Sequence, residues 1–250
     1  MKTLSLLFLL SVLWSCADAP QKLTRIESKQ ILISDTIAEN KELETFIAPY
    51  RRRIKEEMEG VLSYTPNAMY KAEARFNTSI GNMMADAVFE MATPLFKERT
   101  GHSFDLVILN YGGIRGGINA GDITTRTAYN IMPFENEVVV VELTSDELQA
   151  LVDYLVQDKA AHPISGLQVI LDAQGNLSEF KVNGAQHQKK SYYVATSDYL
   201  AKGGDKMDFF LSARNVQGLD YKLRNLFIDY FKKKDTIAPV RDQRFIQLQN

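Results

Sequence analysis

Asn110-Tyr111-Gly112-Gly113-Ile114-Arg115-Gly116-Gly117-Ile118 is the stretch on which the reading of this chain turns. Residues 105–109 lead into it as a short apolar run of strand type, and the paired glycines Gly112 and Gly113 stop that run. Glycines at a strand end let backbone N–H groups come close to a ligand. Arg115, just beyond, can present a planar guanidinium fork to phosphate oxygens. A purely structural turn accounts for the same residues. The spacing is not the G-x-G-x-x-G of a dinucleotide fold, and it is not a P-loop.

Working outward, Met83, Met84, Ala87, Val88 and Met91 recur at three and four residues and predict a helix over 79–96, with Pro94 at its fraying end. Its methionines read as core filling. Further upstream, Leu43, Ile47, Tyr50, Ile54 and Met58 predict a helix capped by Asp35-Thr36 and closed by Gly60, with Arg51-Arg52-Arg53 on a solvated face. Residues 17–35 read as a polar tether with a short strand at 30–34.

Downstream, residues 137–143 form a strand and 145–156 a capped amphipathic helix. Strands follow at 166–171 and 179–182, separated by the turn Ala173-Gln174-Gly175-Asn176, and another at 191–196. A final helix over 221–233 carries Leu223, Leu226, Phe227, Tyr230 and Phe231 along one side. Helices and strands mix without strict alternation, which predicts an α+β fold of mixed sheets layered with helices rather than a doubly wound parallel sheet.

A chain of 250 residues with 45% hydrophobic and 24% charged residues can bury a sizeable core. Its formal net charge of −2 gives no basic face for nucleic acid and leaves small molecules or proteins as partners. The N-terminus reads differently. Lys2 precedes a nearly unbroken apolar run over 4–14, too short to span a bilayer, which ends at Trp14-Ser15-Cys16. Cys16 is the chain's single cysteine, so no internal disulfide can form. The segment resembles a bacterial lipobox, whose cysteine is lipidated and becomes the mature N-terminus. An ordinary cleaved signal with an incidental cysteine, or a catalytic thiol, are the alternatives. The expected organisation is a lipoprotein signal peptide at 1–16, a tether and linking helix at 17–62, and a globular domain at 63–250. The expected location is the cell envelope, with the protein exported and held to a membrane by its lipid.

Two more stretches bear on chemistry. Met132-Pro133-Phe134-Glu135-Asn136 sets an aromatic ring and an amide two residues apart just before a strand, so both emerge on one side of the chain. A ring stacked on a purine and an amide bonded to its edge use that geometry. Residues 195–205 offer a second ring, Tyr199, and, past the turn at Gly203-Gly204, the Asp205 carboxylate as an acceptor for ribose hydroxyls. Taken singly, each is better explained as a core aromatic or a turn-capping aspartate.

Together and in this order the three stretches resemble the C-terminal, substrate-binding domain of the 5'-nucleotidase family, which includes periplasmic UDP-sugar hydrolases and surface ecto-5'-nucleotidases. The resemblance takes in Gly121-Asp122-Ile123-Thr124 and Arg75-Phe76, and extends from about residue 40 to the C-terminus. It implies that Arg115, Arg75 and Lys71 contact the substrate's phosphates, with Asn110 beside the phosphate or ribose. Phe134 and Tyr199 would sandwich the base, Asn136 would bond its edge, Asp205 would hold the ribose hydroxyls, and Gly166 would line the base pocket. Lys71 stands where the family has an arginine, which exchanges a bidentate fork for a point charge. Tyr199 stands where phenylalanine is usual and keeps the stacking face.

The family hydrolyses phosphate esters at a two-metal centre in a separate N-terminal domain. This chain holds three histidines, His102, His162 and His187, none within such a ligand motif, and all read as surface or loop residues. No catalytic or metal-binding residue is therefore assigned, and the two divalent metals are expected on a partner metallophosphoesterase. The leading expectation is the nucleotide-recognition half of a split 5'-nucleotidase. The alternatives are a stand-alone envelope nucleotide- or nucleoside-binding lipoprotein and an interaction module with a degenerate pocket.

Overall fold

The computed structural model describes residues 22–186 and 191–249, so the signal segment, Cys16 and His187 lie outside the described residues. The chain divides into two units, Met1–Ala48 and Pro49–Asn250. In the first unit, residues 30–33 are in no strand and Ile31, Leu32 and Ile33 are exposed, contrary to the strand expected there. Apolar composition alone does not make a strand, because its N–H and C=O groups need a ladder partner. Helix α1, Lys41–Glu59, begins in this unit. Its cap is Asn40, whose Oδ1 accepts from the N–H groups of Glu42 (3.1 Å) and Leu43 (3.2 Å). Asp35-Thr36 instead sits in the preceding turn, closed by the Ile37 N–H on the Ser34 carbonyl. Asn40 is a strong cap in its own right and lies one residue before the helix.

The second unit holds the rest. Strand β1, Val61–Thr65, pairs antiparallel with β3, Gly121–Thr124. Helix α2, Ser79–Thr100, is capped by Thr78 and closed by Gly101 at φ 76°, in left-handed space that glycine enters freely. It runs past Pro94, where an end was expected. The exposed Pro94 ring forfeits a single backbone bond, and Phe96 two residues later is buried against Phe104 and Tyr193.

The centre is a five-stranded mixed sheet. Its strands are β2 (Leu106–Ile108), β4 (Glu137–Leu143), β5 (Ile164–Ser165), β9 (Tyr192–Ser197) and β10 (Arg214–Lys222), in the order β10-β4-β9-β2-β5. Only β2 and β9 run parallel to each other; β4, β5 and β10 are antiparallel to their neighbours. Both faces are covered. Val107, Val138, Val140 and Ala195 pack on one side with α2 and with α6, Leu223–Lys233. Leu106, Ile108, Val139, Val141 and Val194 pack on the other with α4, Ser145–Asp158.

That second side also takes in Val169, Leu171 and Phe180 of the outer sheet, which comprises β6 (Leu167–Leu171), β7 (Leu177–Val182), β8 (Ala185–Gln186) and β11 (Phe245–Gln247). Burial on both faces is why β4 carries an unbroken apolar run over 138–141. Helix α4 starts at Thr144, whose hydroxyl and backbone N–H form a reciprocal capping box with Glu147.

Helix α6 buries Leu223, Leu226, Phe227 and Phe231, while Tyr230 is half-buried. Strands β3, β5, β8, β10 and β11, the helix α3 (Thr125–Ile131) and the one-turn helix α5 (Asp198–Ala201) carry no expectation from the sequence. Among the described residues no helix is long and apolar enough to cross a membrane.

Candidate functional site

The topology gathers three chain segments at one edge of the central sheet. Parallel β2 and β9 end side by side, so Asn110 and Tyr199, which follow them, emerge together. Antiparallel β4 starts where β9 ends, since Val138 pairs with Ser197, so the residues just before β4 arrive at the same edge. The junction is tied by Asp198 Oδ1, which accepts the Glu137 N–H at 3.0 Å, and by Ser197 Oγ, which caps the Leu200 N–H at 3.2 Å. The outcome is a cleft of about 320 Å³ lined by Asn110, Gly112, Gly113, Arg115, Phe134, Asn136, Tyr199 and Asp205. Phe134 and Tyr199 remain 39% and 43% exposed, so both rings are open to a molecule in the cleft.

The polar side of the cleft is already bonded. Asn110 Nδ2 donates to Asp205 Oδ2 at 2.5 Å, and the Tyr199 hydroxyl donates to Asp205 Oδ1 at 2.9 Å. The Asp205 N–H returns to the Tyr199 oxygen at 3.2 Å, and Tyr154 donates its hydroxyl proton to the Asp205 carbonyl at 3.0 Å. Burial, with the charges of Asp158 and Asp205 nearby, pushes the Tyr154 phenol up to about 12, so this donor stays protonated at physiological pH.

Gly112 and Gly113 let the loop backbone lie close to these side chains. A Cβ on Gly112 would come within 3.2 Å of Asp205 Oδ2, and one on Gly113 within 2.6 Å of Asn110 Oδ1. The Arg115 guanidinium lies 5.7 Å from the centre of the Phe134 ring, inside cation–π reach.

Beneath Phe134 lies an ionic clamp. Glu135 is ion-paired to Arg224 and to Lys222, and Arg224 also donates to the Pro133 carbonyl at 3.2 Å while stacking 4.2 Å over Tyr129. The hydrogen bonds from Lys222 and then Arg224 pull the Glu135 carboxyl down to about 2. Asn136 is held by its carbonyl, which accepts the Leu223 N–H at 2.9 Å, so the Phe134–Asn136 stretch rides on the start of α6.

Six of the nine residues singled out from the sequence thus share this cleft. The other three lie elsewhere. Lys71 places its ammonium 4.7 Å over the ring of Tyr111, next to the cleft without lining it. Arg75 rests 5.1 Å over Phe76, in a separate groove with Ala173 and Gln247. Gly166, at φ 73°, packs against the strand β2 backbone, where a Cβ would meet the Asp105 carbonyl at 2.4 Å; it lines another groove with Asn183 and Arg244.

His162 departs from the surface reading. It is buried in the loop before β5, where Nδ1 accepts the Tyr111 N–H at 3.1 Å and Nε2 meets Asp158 at 2.7 Å. Its ring thereby holds the backbone of the glycine loop. His102 is exposed, stacked 5.3 Å from Tyr193. The contributions of Tyr154, His162 and Arg224 carry no sequence signal of their own; only tertiary hydrogen bonds reveal them. No group of three or more His, Cys, Asp or Glu side chains suited to a metal occurs among the described residues.

Comparison with known proteins places this architecture. The profile of the family described as "5'-nucleotidase, C-terminal domain" matches residues 60–212. The chain is 28% identical over 189 residues to Protein UshA of Escherichia coli strain K12, covering 72% of this chain and 32% of UshA. It is 26% identical over 219 residues to the trifunctional nucleotide phosphoesterase YfkN of Bacillus subtilis, covering 80% of this chain and 15% of that protein. It therefore spans about a third or less of these relatives.

Among solved structures, a 5'-nucleotidase precursor from Thermus thermophilus superposes with a TM-score of 0.68 at 21% identity, over 83% of this chain and 43% of that one. The NAD nucleotidase of Haemophilus influenzae gives a TM-score of 0.66 at 16% identity, over 84% and 42%. The mixed α+β layering found above is the fold of these domains, and the chain belongs to the 5'-nucleotidase C-terminal domain family.

Proposed function

We propose that this domain recognises a nucleotide or nucleoside in the cleft at the edge of the central sheet. The observation that carries the proposal is the convergence of Asn110, Arg115, Phe134, Asn136, Tyr199 and Asp205, from three separate segments, on one cleft. Two rings for a base, an amide for its edge, a carboxylate for sugar hydroxyls and a guanidinium for phosphate form a chemically complete set. Lys71 and Arg75 contribute further phosphate contacts in this reading by leaving their aromatic resting places, and Gly166 keeps the neighbouring backbone close. YfkN and the two structural neighbours bear names that refer to nucleotides or nucleotidase activity, which supports the ligand class.

In the same reading the domain acts in nucleotide catabolism or salvage. Hydrolysis itself belongs to a separately encoded metallophosphoesterase, which supplies the two divalent metals that activate a water and balance the departing oxygen. Cys16 carries the lipid, so recognition takes place at the cell envelope. The test is calorimetry with AMP, followed by turnover assays in which the protein is mixed with a metallophosphoesterase encoded beside it. Saturable AMP binding together with a changed turnover sustains the split-enzyme reading. Tight AMP binding with no effect on any such enzyme replaces it with a stand-alone binding lipoprotein. Absence of binding and of any effect refutes both.

A further inference from the structure

The hydroxyl of Tyr199 is the feature of the cleft that base stacking leaves unused. It sits inside a closed circuit: it donates to Asp205 Oδ1 at 2.9 Å and accepts the Asp205 N–H at 3.2 Å, while Asn110 Nδ2 holds Asp205 Oδ2. The backbone of Asp205 is fixed as well, by Tyr154 on its carbonyl. Asp205 and Lys206 are consecutive non-glycine residues in left-handed space, at φ 53° and 62°. Such a backbone persists only where surrounding bonds hold it. The Tyr199 ring also packs against Gly204, where a Cβ would come within 2.4 Å of it, so the ring has a packing contact besides the bonds of its hydroxyl.

A carboxylate offers about four acceptor sites. Asn110 and Tyr199 each take one on different oxygens, and each oxygen keeps one free site. Neither oxygen can turn away without breaking a charge-assisted bond. We propose that the Tyr199 hydroxyl is a specificity-determining group that locks the Asp205 carboxylate for two neighbouring hydroxyls, so that the cleft selects ribonucleotides over 2'-deoxyribonucleotides. A 2'-deoxy sugar leaves one oriented acceptor without its hydroxyl partner, and a site built to bond a substrate hydroxyl discriminates against the analogue that lacks it. The inference rests on the nucleotide reading of the cleft and adds the sugar class to it.

The experiment compares AMP with 2'-deoxy-AMP by calorimetry on the whole protein and on Tyr199→Phe. That variant keeps the ring on Gly204 and frees one oxygen of Asp205. The wild type binds AMP in preference to 2'-deoxy-AMP. In Tyr199→Phe the preference shrinks by about tenfold, the value of one hydrogen bond to a charged group. Tyr199→Leu, which removes the ring too, weakens both ligands and separates stacking from sugar selection. A preference unchanged in Tyr199→Phe, or a wild type that binds both ligands equally, overturns the role of the hydroxyl and leaves the nucleotide reading standing. A wild type that binds neither overturns the nucleotide reading and this inference with it.

Discussion

The side of the cleft proposed to take sugar and base and the cations proposed for phosphate are built differently. Asp205 is held by Asn110, Tyr199 and Tyr154, and the loop carrying Phe134 is clamped by Glu135 and Arg224. Lys71 and Arg75 rest instead on aromatic rings outside the cleft. The contrast teaches where recognition is preorganised. A group fixed by protein bonds meets its ligand with little ordering cost, whereas a cation must leave a ring and surrender rotamer freedom before it touches phosphate. Of the three cations in this proposal, Arg115 alone lines the cleft, beside the Phe134 ring.

Graded expectations follow from that contrast. Asp205→Ala removes both acceptors for the sugar and should weaken AMP by about a hundredfold, read by calorimetry. Phe134→Ala should weaken AMP and adenosine alike by about tenfold, the loss of one base–aromatic stack; an effect on AMP alone would detach Phe134 from the base. Arg224→Met, which strips the clamp beneath Phe134, should lower unfolding free energy by roughly 2 kcal/mol in urea titration and raise the AMP Kd severalfold. Lys71→Ala should cost AMP binding no more than about fivefold, the range of an exposed ion pair. A loss as large as that of Asp205→Ala would break the contrast.

Acid sharpens the clamp's half of the comparison. The Glu135 carboxyl is pulled from its ordinary 4.5 to about 2 by Lys222 and Arg224, so its contribution is complete above the ordinary value and disappears as pH falls through about 2. The difference in Tm between the wild type and Glu135→Gln should therefore hold steady near neutral pH and shrink across that acid window. A difference independent of pH would mean that the pairing is not what Glu135 contributes.

Legibility in the sequence followed the same physical lines. Strand β4 carries an unbroken apolar run over 138–141 because both its faces are buried, and α6 shows its core stripe because one face is. Strand β10 shows no apolar pattern. It is an edge strand, largely exposed, and its pairing with β4 is interrupted near Asn215 and Asp220, both at positive φ. The unexpected cap at Asn40 and the helix that outruns Pro94 are local competitions decided by hydrogen bonds and burial that lie beyond the motif.

In the site, the glycine loop and the residues of the two flanking stretches were marked by their order in the chain. His162, Tyr154 and Arg224 reach the site through partners fifty or more residues away, and no spacing rule ties them to it.

The most direct test of the central claim is a calorimetric titration of AMP into the purified protein beside Asp205→Ala. The wild type should bind AMP saturably and one to one, and the variant about a hundredfold more weakly. An isotherm that is flat for the wild type, or identical for the two proteins, would contradict it.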